Sequence, residues 1–66
     1  MIQFQVNDMT CGHCAATITK AVKAVDSAAE VNIDLATHRV QVASRAEAGV
    51  VQAAIREAGY SPQQVD

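Results

Sequence analysis

Apolar residues in this chain keep one of two periods, and the order of those periods leaves little choice of fold. Ile2, Phe4 and Val6 alternate with Gln3, Gln5 and Asn7, the pattern of a strand with one face buried. "NDMTCGH" then breaks the alternation with turn-forming residues and a glycine. From Cys14 to Val25 the period turns helical: Ile18, Val22 and Val25 share a face with Ala15 and Ala21, while Thr19, Lys20 and Lys23 point elsewhere. Asp26 and Ser27 close that helix. A second alternating run sets Val31, Ile33 and Leu35 inward against Glu30, Asn32 and Asp34. "ATHR" turns the chain, and Val40 and Val42 complete a hairpin. Ser44 and Glu47 fit a capping box, in which each side chain satisfies an amide at the start of a helix. Val50, Val51, Ala54, Ile55 and Ala58 form the apolar face of that second helix. Gly49 weakens its first turn, and Gly59 stands where a left-handed terminal residue belongs. Pro62 in "YSPQQV" predicts an edge strand, because a central strand would need the missing N–H.

Strand, helix, strand, strand, helix, strand is the split βαβ order. The expected class is α+β: a ferredoxin-like βαββαβ sandwich, with a four-stranded antiparallel sheet and two helices on one face. Residues 1–66 read as a single domain, without repeat, linker or low-complexity tract. Only Phe4 and Tyr60 are aromatic, so the core falls to Val and Ile. A domain this small buries about 60% of its unfolded surface, which leaves little material for a deep catalytic cleft. A binding function on the surface is expected, with no catalytic residues and no enzyme activity.

Charge narrows the partners. The formal net charge is −2, and Lys20, Lys23, Arg39, Arg45 and Arg56 are scattered rather than striped, so nucleic acid is not an expected partner. No apolar run approaches the ~20 residues that cross a bilayer. Met1 leads straight into "IQFQV", unlike the charged start and apolar run of an export leader. A cytoplasmic chain is therefore expected, and its starting methionine and lack of a linker favour a free-standing protein over a domain of a larger one. In that compartment thiols stay reduced, so a Cys-x-x-Cys pair reads as metal-binding or catalytic rather than as a disulfide staple.

Both cysteines lie in "MTCGHC", residues 9–14. Thiol–disulfide enzymes also place Cys-x-x-Cys at a helix start, but in a larger fold with another order of elements, and no tryptophan or proline stands beside these cysteines. Structural zinc wants about four ligands in paired clusters. Here the further donors are His13, inside the motif, and His38, far along the chain. A transferable soft-metal site fits better. Thiolates select soft ions, Cu(I) above all, and two sulfurs leave an edge open for an incoming ligand. Cys14 at a helix N-terminus gains from unpaired N–H groups and the helix dipole, and Gly12 lets the loop bend both sulfurs toward one ion.

"MTCGHC" after an alternating strand, the helix "AATITKAVKAV", and "EAGY" entering the last strand resemble the heavy-metal-associated domain. That family includes bacterial copper chaperones and the amino-terminal domains of copper-transporting P-type ATPases. The resemblance covers essentially the whole chain. It implies Cu(I) carried by Cys11 and Cys14 and handed to the metal-binding domain of such an ATPase, with an apo monomer that metal can bridge into a dimer. Zn(II), Cd(II) or Hg(II) in the same site is the alternative. One departure is Asp8, where the family commonly has glycine; it makes the loop stiffer and more negative.

Around the pair, Met9 is expected to pack beneath the loop rather than to ligate, and Thr10 to shape the loop or cap the helix. His13 is an auxiliary ligand candidate, a tuner of the thiolates, or a plain surface residue. Tyr60 either shields the site or hydrogen-bonds near it, as the resemblance implies, or is simply an aromatic at the edge of the core. His38 is expected to be a solvated turn residue, and Lys20 and Lys23 a solvated face.

Overall fold

The computed structural model describes residues 2–65. In chain order it has β1 (Ile2–Val6), α1 (Gly12–Val25), β2 (Glu30–Asp34), β3 (Arg39–Ala43), α2 (Ala48–Glu57) and β4 (Pro62–Gln64). The sheet order is β2-β3-β1-β4, and every neighbouring pair is antiparallel. This is the ferredoxin-like architecture expected from the periodicities, and β4 is an edge strand, where Pro62 costs least.

The register explains the alternation. Phe4 stands opposite Val40 on one side and Gln64 on the other, Ile2 opposite Val42, and Val40 opposite Ile33. A slip of one residue would turn all of these away from the helices. Phe4, Val6, Val40 and Val42 from the sheet meet Ile18 and Val22 of α1, Val51 and Ile55 of α2, and Met9 and Ala29 from the loops; these form the buried core.

Three apolar residues expected inside lie outside: Val25 is 38%, Leu35 37% and Val50 48% exposed. Each stands at the end of its element. Val25 is the last residue of α1, Leu35 falls in the turn after β2, and Val50 is in the first turn of α2. There the periodicity continues but nothing packs over it.

The capping box does not form. The N-cap of α2 is Glu47, with no side-chain cap, and the helix begins at Ala48. The Ser44 hydroxyl is used elsewhere: it donates to Asp26 Oδ2 at 2.8 Å and accepts from the Ala46 amide at 3.0 Å. Asp26 is the C-cap of α1 and also accepts from the Ala28 amide at 3.0 Å and the Arg45 amide at 3.3 Å. Its carboxylate therefore ties the end of α1 to the β3–α2 loop. Those bonds, that of Ser44 foremost, hold the Asp26 pKa below its ordinary value. A depressed acid stabilises the fold above its unfolded pKa and loses that contribution as the pH falls through the folded one. Asp26→Ala should accordingly lower the thermal midpoint near neutral pH, and the gap to wild type should close as pH drops below the ordinary aspartate range. Thermal melts at several pH values check this.

Antiparallel pairing sets three connections at one end of the sheet. The loop leaving β1 lies there, beside the β2–β3 turn through the Gln5–Arg39 pair and beside the entry to β4 through the Val6–Pro62 pair. Both cysteines are at that end.

Candidate metal site

Cys11 is the N-cap of α1 and Cys14 lies in its first turn. No side chain caps the helix and no acidic residue stands in its first turn, so nothing anionic except the sulfurs themselves meets the unpaired amides. Thr10 is exposed and makes no cap, contrary to one of its two expected roles. Cys11 is exposed, Cys14 is half-buried against the core, and both are free thiols. Their sulfurs lie 3.7 Å apart. At about 2.3 Å from a shared ion, sulfurs 3.7 Å apart subtend roughly 107° at it, a bent chelate with one side open.

Cys14 is electrostatically prepared. Its pKa is lowered from 9.0 to about 6, first by a hydrogen bond from the Tyr60 hydroxyl, then by the Thr10 backbone; burial opposes the shift, and Cys11 adds to it weakly. The same bond raises the Tyr60 pKa, since losing the phenolic proton would set two anions together. Tyr60 is half-buried at the entry to β4, behind Gly59, whose φ of 102° is the left-handed conformation expected of it. A thiol with a pKa of about 6 is mostly thiolate at neutral pH and becomes protonated as pH falls below that value. Alkylation of Cys14 in the reduced protein should therefore be nearly independent of pH above 7 and slow about tenfold per unit well below 6. Tyr60→Phe should move that midpoint upward. Mass spectrometry after pulse alkylation reads both.

The neighbours divide. Met9 is fully buried, so its thioether belongs to the core and not to the site. His13 is exposed in the first turn of α1 and does not join the two cysteines in a common cluster. Among the described residues no three Cys, His, Asp or Glu side chains converge on a point that could hold an ion. The structure thus brings Cys11, Cys14 and Tyr60 together and leaves His13 apart.

Two contacts were not foreseen. Asp8 Oδ1 accepts from the Ser61 amide at 3.2 Å, tying the loop to the entry of β4. His38, expected in solvent, is half-buried with Nδ1 2.8 Å from the Met9 carbonyl oxygen. The stiffness expected of Asp8 gave a hint of the first; no local pattern signals the second, which joins residues 29 apart.

Comparison with known proteins gives the same answer along the chain's length. The heavy-metal-associated domain matches residues 3–61. The copper-transporting ATPase 1 of Rhizobium meliloti is 33% identical over 60 residues, 88% of this chain but 7% of that protein, so the chain spans a small part of this relative. A crystal structure of a gold-binding protein superposes with a TM-score of 0.95 at 38% identity, covering 98% of this chain and all of the other. The copper chaperone Atx1 from Synechocystis PCC6803, in a trimeric Cu form, superposes at 0.93 with 35% identity, covering 96% and 100%. With the domain matched over residues 3–61 and the backbone superposing over nearly the whole chain, the chain belongs to the heavy-metal-associated domain family.

Proposed function

We propose that Cys11 and Cys14 carry a soft metal ion, Cu(I) in the first place, and pass it by thiolate exchange to the metal-binding domain of a copper-transporting P-type ATPase. In this reading residues 1–66 act as one cytoplasmic carrier domain, without catalysis. One observation carries it: two free sulfurs 3.7 Å apart at an exposed helix start, with no third ligand converging from the described residues. Two thiolates suit a soft monovalent ion, whereas zinc would lack half of its tetrahedral set. Relatives whose names refer to copper and to gold support the same preference, because both metals seek sulfur.

Transfer follows from the open side. A sulfur of the partner adds to the ion before Cys11 or Cys14 leaves, so the ion is never bare and no high barrier arises. Low ligand number makes that exchange easy without making the hold weak. Cys11, the exposed sulfur, is within reach of a partner, while Cys14 stays fixed against the core.

Anaerobic titration of the reduced protein with Cu(I) against a competing chelator tests the reading. One ion per chain is expected, retained when zinc is present in excess. No uptake, a preference for zinc at limiting copper, or binding that survives in a Cys11→Ser, Cys14→Ser double variant would overturn it.

A further inference from the structure

His38 does something that a hairpin turn does not require. It is the one non-glycine residue with positive φ among those described, at 57°. Glycine enters that region freely; a side chain enters it at a cost, although histidine, like asparagine, does so more often than most. What the side chain adds here is a hydrogen bond. Nδ1 lies 2.8 Å from the Met9 carbonyl oxygen, and since a carbonyl only accepts, Nδ1 carries the proton and donates.

That carbonyl stands at a decisive point. The Met9 side chain is locked in the core, and the Met9 amide donates to the Val6 carbonyl at 3.1 Å. The His38 bond fixes the next peptide plane, and with it the direction in which Thr10 and Cys11 leave the core. The turn itself is seated on β1: the Val6 amide donates to the His38 carbonyl at 2.8 Å, and Gln5 Nε2 donates to the Thr37 carbonyl at 2.8 Å. His38 is thus anchored to β1 through its backbone and grips the thiol loop through its ring.

We propose that His38 is a positioning residue for the metal site, holding the Cys11 arm at its spacing from Cys14 and thereby setting how fast a bound soft ion escapes. The proposal rests on the metal-carrying reading above, and its test separates the two. His38→Gly keeps the left-handed turn and removes the ring. His38→Asn tolerates the same backbone and places an N–H group on Cγ, where the ring carries Nδ1. In the metal-free, reduced protein, hydrogen exchange at the Met9 and Ala15 amides, which donate to the Val6 and Cys11 carbonyls on either side of the loop, should quicken in the glycine variant and return toward wild type in the asparagine variant.

In the loaded protein, a chelator should strip Cu(I) about fivefold faster from His38→Gly, the effect of one ordinary hydrogen bond, and at nearly the wild-type rate from His38→Asn. The thermal midpoint of His38→Gly should stay near wild type, since the relaxed backbone offsets the lost bond. Unchanged amide exchange in His38→Gly would overturn the proposal, as would equal acceleration in both variants. So would faster exchange spread over the whole chain, which would mark a merely structural role. Should wild type take up no Cu(I), the carrier reading falls, and amide exchange in the metal-free protein still decides whether His38 orders the loop.

Discussion

Cys14→Ser should lower Cu(I) affinity by about a hundredfold or more, and Cys11→Ser nearly as far. The size follows from ligand number. A four-ligand structural zinc site is worth about 10–16 kcal/mol at neutral pH, or roughly 2.5–4 kcal/mol per ligand. Two sulfurs share the whole hold here, so removing either takes at least that much. Cys14 is expected to matter more. Its thiolate already prevails at neutral pH because Tyr60 and the Thr10 backbone stabilise it, so little is lost in displacing a proton. It is also half-buried against the core, so it cannot be replaced by a shift of the loop. Competition with a chelator of known affinity, at fixed pH under anaerobic conditions, measures both losses. A serine variant that held copper as well as wild type would mean that the ion sits elsewhere.

Phe4→Ala should remove between about a third and all of the fold's stability. Phe4 is fully buried at the middle of β1, between Val40 and Gln64, and is the largest side chain in the core. Truncation of a buried phenylalanine costs about 3–5 kcal/mol. A domain of this length has about 3–10 kcal/mol in all. The loss is therefore a third of the stability at least and can be all of it. The contrast is Val50→Ala, which touches an apolar residue of the same sequence pattern that is 48% exposed and should cost no more than about 0.5 kcal/mol. Urea titrations followed by circular dichroism compare the two. Loading with Cu(I) should recover part of the folded signal of Phe4→Ala, since an ion that binds only the folded state shifts the equilibrium by mass action.

These two expectations draw on different levels of the sequence. The fold was legible because every element before β4 announces itself by local period, and because the sheet's one-sided burial makes the register sensitive to a single residue. Gly59 and Pro62 could be placed for similarly local reasons, one by its backbone freedom and the other by its missing amide. Local reading failed where a residue had two uses. Ser44 and Glu47 have the right spacing for a capping box, but Asp26, from the far end of α1, takes the serine hydroxyl and the helix starts later. Periodicity likewise overran its elements at Val25, Leu35 and Val50, since a pattern does not state where its cover ends.

The pair of cysteines stood out by spacing alone, and Tyr60 was expected near it. What spacing could not convey is the bracing around the loop. Asp8 reaches Ser61 across the β4 side, and His38 reaches Met9 across the β3 side, each through a contact made only when the sheet closes. Tertiary hydrogen bonds of this kind leave no periodic trace. They nonetheless decide how firmly the loop presents its sulfurs, which is where the fold meets the proposed chemistry.

Copper K-edge X-ray absorption of the reduced, singly loaded protein tests the central claim most directly. Two thiolate sulfurs from one chain are proposed to hold the ion, with His13 outside the shell. The account predicts a Cu(I) edge and a first shell of sulfur alone, unchanged in His13→Ala. A shell containing nitrogen that vanishes in His13→Ala would contradict it.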